Sequence, residues 1–180
     1  MKTISKFIAI TAFSVTATAA QAQLYGEVGY TSLKVKATYD DDKYKASPNV
    51  LGVTVGYDVH ENASVEAMGV FGVNQANIKV NGTSVPAKLI VNSSYGVFLK
   101  PKAMLNESFE IFGRLGYMNS KVSITGAGLS GSETNNGFAY GLGSNYYVTK
   151  TTYLTVNYMK FYDKNKTKVD GITFGLGMKF

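Results

Sequence analysis

The sequence contains no cysteine, no tryptophan, a single histidine and only three prolines. Without cysteine there is no disulfide framework, no thiol nucleophile and no thiolate metal site. The one histidine, His60, sits beside Glu61 in a short connection, and nothing resembling a nucleophile–base–acid set surrounds it. The expectation is therefore a protein that is not an enzyme, with no cofactor and no metal. After residue 22 no run of 18 or more apolar residues occurs, which excludes a helical membrane span, and the mean hydropathy is −0.02. That test does not reach strands, because half of each strand in a membrane barrel faces its lumen and is polar. Acidic residues are the scarcer charge, 12 against 18 Lys and Arg, but the basic residues are spread over connections, so nucleic acid is not an expected partner.

What is present begins with a leader. Residues 1–22 place Lys2 and Lys6 ahead of an apolar run at 7–15 and end in Ala20-Gln21-Ala22, the pattern of a secretory signal peptide cleaved before Gln23. Residues 23–180 are then expected to form one domain. Along them apolar and polar residues alternate with a period of two, and successive side chains of a strand point to opposite faces. The final stretch, 169–180, is the clearest. Ile172, Phe174, Leu176, Met178 and Phe180 share one parity, and Gly171, Thr173, Gly175, Gly177 and Lys179 share the other.

Seven earlier stretches repeat the pattern. In the second, Leu51, Val53, Val55, Tyr57 and Val59 oppose Gly52, Thr54, Gly56 and Asp58; the fourth sets Leu89, Val91, Tyr95, Val97 and Leu99 against Asn92, Ser94, Gly96 and Lys100, and Pro101 is expected to end it. The first, 24–35, alternates imperfectly. Long connections at 36–48, 74–88 and 119–136 are interleaved with short ones at 59–62, 101–107 and 149–151, whereas 163–167 is brief for its place in the series. Membrane barrels have short turns on one side and longer loops on the other. The predicted fold is all-β, an eight-stranded antiparallel up-and-down transmembrane β-barrel. Ten of its thirteen tyrosines are expected in two interfacial belts, with Tyr25, Tyr57, Tyr146, Tyr147 and Tyr153 at one end and Tyr30, Tyr117, Tyr140, Tyr158 and Tyr162 at the other.

Through the leader, the eight alternating stretches and the ending Gly-Ile-Thr-Phe-Gly-Leu-Gly-Met-Lys-Phe, the chain resembles the small bacterial outer-membrane barrel superfamily. That superfamily includes the OmpA transmembrane domain, the OmpX- and Ail-like proteins and the opacity proteins. The resemblance implies residence in the outer membrane with both termini periplasmic, a monomeric barrel, and Phe180 as the signal read by the barrel-assembly machinery. Lipid and lipopolysaccharide would be its surroundings, and a host or cell-surface molecule a possible ligand.

Two sets of residues carry the candidate chemistry. Glu27, Glu66, Glu110 and Arg114 fall on the polar parity and are expected in the lumen, since Arg114 facing lipid would cost roughly 2–4 kcal/mol. An unpaired ion in a narrow interior is costly, so a network around Arg114 is expected. It would act either as a static plug, leaving a structural or adhesin-like surface role, or as the gate of a small porin-like channel. The second set lies at the long-connection end: Lys36, Lys43, Lys45, Lys164, Lys166 and Lys168, interrupted by Asp40, Asp41 and Asp42, with Lys34, Lys79, Lys88 and Lys121 nearby. Cations there could meet lipopolysaccharide phosphates or polyanions through salt-sensitive attraction.

Overall fold

A computed structural model describes residues 23–126, 129–164 and 166–180. The expected signal peptide, 1–22, lies outside the described residues. The elements are β1 (Leu24–Tyr39), β2 (Asp42–Ala46), β3 (Asn49–His60), β4 (Ala63–Gly72), β5 (Ala76–Val80), β6 (Thr83–Asn106), β7 (Phe109–Gly126), β8 (Leu129–Tyr147), β9 (Thr152–Lys164) and β10 (Thr167–Lys179). Eight of them, all except β2 and β5, pair antiparallel with their neighbours in chain order. The ring closes where β10 pairs with β1, from Tyr25↔Lys179 to Ala37↔Thr167. The chain is thus an eight-stranded up-and-down barrel, with β1 and β10 meeting so that Leu24 and Phe180 lie at one end of it.

The exterior explains why the apolar parity is so strict. Val28, Leu51, Val53, Val97, Leu99, Leu142, Phe174 and Leu176 are all exposed around the ring. A continuous apolar belt of this extent is unstable against water and stable against hydrocarbon. β3 and β4, with 12 and 10 residues, match the tilted strand needed to cross a bilayer, about 9–11 residues. β6, β7 and β8, with 24, 18 and 19 residues, overshoot it. The barrel therefore projects beyond the apolar belt at the end opposite the termini, here called the hairpin end.

That projection corrects the expected loops. Most of 36–48, 74–88 and 119–136 is strand. β3 and β4 stop at the top of the belt, and in their place β2 pairs with β1, β5 pairs with β6, and β2 joins β5 through Tyr44↔Val80 and Lys45↔Lys79. Strand pairing thus continues above the membrane zone from β10 through β1, β2, β5, β6 and β7 to β8, whereas β8 and β9 pair only from Tyr140↔Lys160 downward. Two tight turns make this possible. Asp40-Asp41, with φ of 46° and 67°, links Tyr39 to Asp42; Asn81-Gly82, with φ of 49° and 93°, links Val80 to Thr83. Positive φ at both central residues is the type I′ geometry that matches the twist of paired strands, and Asp, Asn and Gly tolerate it.

Pro101 does not end β6. The strand runs on to Asn106, and Leu99↔Leu115 and Lys102↔Phe112 keep one register on either side of the proline. Pro101 pairs with Ala63 on one flank, and on the other its ring lies beside Gly113. Leu89 and Val91 also differ from expectation. They point into the barrel, not outward with Tyr95, Val97 and Leu99, because an extra residue at Asn92 shifts the register between Val91↔Val122 and Ser93↔Lys121. A bulge of this kind exchanges the two faces of a strand.

Candidate functional site

In the membrane zone the lumen is filled by ionic and phenolic side chains delivered from six strands. Glu27 comes from β1, Glu66 from β4, Lys100 from β6, Glu110 and Arg114 from β7, Asn145 from β8 and Tyr153 from β9, and all are buried. Arg114 is the hub. Its Nε donates to Glu66 Oε2 at 2.6 Å, and its Nη2 donates to Glu66 Oε1 at 2.9 Å and to Glu27 Oε2 at 2.5 Å. The planar guanidinium makes a two-point contact with one carboxylate and bridges to a second, a geometry a lysine ammonium cannot reproduce. Tyr25 donates to Glu66 Oε1 at 2.7 Å, and Tyr153 to Glu27 Oε1 at 2.9 Å.

A second layer lies toward the terminus-bearing end. Lys100 Nζ is 3.4 Å from Glu27, and 3.7 Å from both Glu66 and Glu110. Its ammonium also rests over the rings of Phe112 and Tyr25, 4.4 and 4.8 Å from their centroids, while the Arg114 guanidinium covers Phe112 at 4.9 Å. Glu110 accepts from Asn145 at 2.8 Å and from Tyr147 at 3.3 Å. Nearer the mouth, Asp58 holds Lys102 at 2.6 Å, accepts from Ser64 at 2.6 Å and lies 3.7 Å from Lys179.

The aromatic rings are seated by glycines. Any Cβ at Gly56 would overlap the Tyr25 ring, and one at Gly177 would overlap Tyr153. The glycine parity of β3 and β10 is the space into which these rings fold.

The four residues expected in the lumen do converge, although Glu110 meets Lys100 and Asn145, not Arg114 directly. Sequence reasoning left out Lys100, Lys102, Asn145 and three tyrosines. Tyr25 and Tyr153 are buried in the lumen and Tyr147 bonds Glu110, so these three do not belong to the interfacial belt assigned to them. Their parity gave the signal: Tyr25 shares a face with Glu27, and Tyr153 with Thr155 and Asn157. Tyr162 likewise lines the interior at the hairpin end, whereas Tyr30, Tyr57, Tyr117, Tyr140, Tyr146 and Tyr158 are exposed. His60 closes β3 and its Nδ1 accepts the Asn62 amide, a turn contact.

The lysine set takes a more ordered form than scattered loops would. Lys168 faces Lys36, Lys36 faces Lys45, and Lys45 faces Lys79, each as a direct cross-strand partner, and all four are exposed. They make a lateral ladder across β10, β1, β2 and β5 on the outer surface of the hairpin end. Lys43 lies two residues along β2 from Lys45, nearer the β1–β2 turn, while Lys164 and Lys166 lie at the β9–β10 turn. Asp163 lies 3.8 Å from Lys168 and 3.2 Å from Lys160. Asp40 and Asp41 form the β1–β2 turn, and Asp42 accepts from Asn81, so the acidic run is part of the turn chemistry. At the other end the Phe180 amide donates to the Leu24 carbonyl at 2.9 Å, and its ring lies beside Gly26.

The family described as outer membrane protein beta-barrel domain matches residues 5–180. No curated protein matches the chain. Among solved structures, the attachment invasion locus protein Ail of Yersinia pestis is 20% identical with a TM-score of 0.62, covering 88% of this chain and 98% of that one. A second structure of Ail, equally identical and with a TM-score of 0.60 over the same shares, contains the heparin analogue sucrose octasulfate. Neisserial surface protein A is 13% identical with a TM-score of 0.69, over 87% and 97% of the two chains. OprG of Pseudomonas aeruginosa is 17% identical with a TM-score of 0.61, over 88% and 96%. At these identities the likeness is one of fold.

Proposed function

Since the chain belongs to the outer membrane protein beta-barrel domain family, we propose that it is a non-catalytic barrel of the bacterial outer membrane whose lumen is shut by the Arg114 network and whose lysine ladder meets clustered anionic groups at the cell surface. In this reading 1–22 is a cleaved signal peptide, both termini are periplasmic and the hairpin end faces outward. Phe180 serves the assembly machinery, and lipid and lipopolysaccharide surround the belt.

The observation that carries the plug is that Arg114 reaches across the lumen to two carboxylates on different strands, with hydrogen bonds of 2.5–2.9 Å. The cavity beside it, bordered by Glu27, Thr54, Asn157 and Arg114, holds about 30 Å³. One water needs roughly 10–15 Å³, so this space takes a water or two and gives ions no continuous path. Opening it would separate buried ion pairs, at a cost of about 3–5 kcal/mol for each partner lost. The porin-like alternative draws on Lys100, which stands within 3.7 Å of all three glutamates and could take over partners that Arg114 gives up. Conductance in a planar bilayer separates the two. The plug reading expects a silent wild type, and discrete openings that change with Arg114→Ala would establish the gate in its place.

For the surface role, phosphates of lipopolysaccharide and sulfates of a host polysaccharide share one chemistry, closely spaced anions on an extended polymer or lipid. The heparin analogue held by Ail supports this choice for a barrel of the same fold.

A further inference from the structure

Above the Arg114 layer the lumen changes character. Interiors of membrane barrels are commonly polar, and an eight-stranded one is just wide enough for its own side chains to fill. At the hairpin end of this barrel the inward face is aliphatic and the space is not filled. A cavity of about 450 Å³ is lined chiefly by Leu33, Val35, Val50, Leu89, Val91 and Val122, contributed by β1, β3, β6 and β7. That volume falls in the range of small-molecule sites, roughly 300–1,000 Å³. Its lower wall is made by Val50, Val70 and Met118, all buried, with the ionic layer beneath, so it is a cup closed below, and on its side β8 and β9 line it without pairing above Tyr140↔Lys160. The upper lining reaches Tyr39, Tyr44, Ile124 and Thr167 at the ends of the projecting strands.

Charge at the mouth narrows what the cup would hold. Two charged residues border it among the described residues, Lys45 and Glu133. Lys45 lies on the outward parity of β2, between the less exposed Tyr44 and Ala46, and belongs to the lysine ladder. Glu133, exposed at the mouth, is the cross-strand partner of Val122 and takes the lining parity, with Asn135 and Gly137 following on it. An anionic head group entering the cup would face this carboxylate with no inward lysine or arginine on the lining to offset it.

We propose that the hairpin-end cup is a binding site for a small uncharged apolar molecule, of the aromatic or hydrocarbon class, with Glu133 excluding anionic amphiphiles. Water in an aliphatic cup has few partners, and its displacement by an apolar group favours binding. This site is separate from the lysine ladder, which takes anions on the outer surface, and does not depend on whether the lumen below conducts.

The test is methyl NMR of the protein in lipid nanodiscs, titrated with neutral N-phenyl-1-naphthylamine and, separately, with anionic 8-anilinonaphthalene-1-sulfonate. The Leu33, Leu89 and Val91 methyls are expected to shift saturably with the neutral probe, and about tenfold more weakly with the sulfonate. Val53 and Val97, on the lipid face, should drift without saturating as probe enters the bilayer. Glu133→Lys is expected to lift the sulfonate to at least parity, and Val122→Trp, filling the cup, to abolish saturation while the Val53 and Val97 signals report a folded barrel. Static lumen methyls, or equal saturation by both probes in the wild type, would overturn the proposal.

Discussion

At the scale of single residues, the lumen network is a problem of unequal partners. Three carboxylates, Glu27, Glu66 and Glu110, face two cations, Arg114 and Lys100, in a region with almost no solvent. Arg114 makes three bonds of 2.5–2.9 Å, while the nearest approaches of Lys100 are 3.4–3.7 Å. Arg114→Ala is therefore expected to cost about 3–5 kcal/mol of folding stability, because Glu27 and Glu66 both lose their close cation. Lys100→Met keeps an unbranched apolar side chain of similar length, and since the ammonium it removes comes no closer than 3.4 Å to a carboxylate it should cost clearly less. Urea titration of both variants in lipid vesicles decides it, and a larger loss for Lys100→Met would contradict this ranking. Glu110 and Arg114 were legible from the sequence because spacing by four on a strand keeps two residues on one face. For Lys100 and the lumen tyrosines only the face was legible, since parity gives neither a side chain's height nor its partner. A tyrosine suits a lipid interface and a carboxylate equally well, and what decides for Tyr25 is the room above Gly56 on another strand.

At the scale of elements, the alternation that revealed the barrel also hid its upper half. On β1 the apolar residues lie outside at Val28 and Tyr30 and inside at Leu33 and Val35. The strand keeps its parity while its greasy side changes, so the pattern looked imperfect where the barrel leaves the bilayer. β6 solves the same problem differently. Its apolar residues keep one parity in sequence, and the bulge at Asn92 turns Leu89 and Val91 inward. Deleting Asn92 removes the extra residue and forces one half of β6 onto the wrong face. Leu89 and Val91 would each forfeit about 1.5–3 kcal/mol of burial if they turned outward. The expected result is faster amide exchange over 76–91 with little change over 95–105, because the membrane zone keeps its register. Uniform protection across β6 in the deletion variant would show that the bulge does not set the two faces. The turn Asn81-Gly82, an Asn-Gly pair flanked by alternating residues inside the long connection expected at 74–88, is the readable sign of this projection.

At the scale of the whole molecule, closure, strand count and the apolar exterior were all legible, because the bilayer imposes one rule on every spanning strand. Above the bilayer that rule lapses, and cross-strand neighbours depend on register, which one sequence does not print. The lysine ladder shows the difference: Lys36, Lys45, Lys79 and Lys168 are far apart in the chain, yet they become successive neighbours across four strands. Like charges placed directly opposite are destabilising, by roughly 0.2–1 kcal/mol per pair. A row of three such pairs is thus held against its own repulsion, and an anionic partner would relieve it. Replacing Lys36 and Lys45 with glutamine should therefore raise or preserve folding stability, while weakening binding to lipopolysaccharide and to immobilised heparin. The remaining binding should also depend less on salt, since fewer screened charges take part. A ladder that served only to hold the projecting strands together would give the opposite signs, with stability lost and anion binding unchanged, so one double variant assayed both ways separates a contact surface from a structural rim.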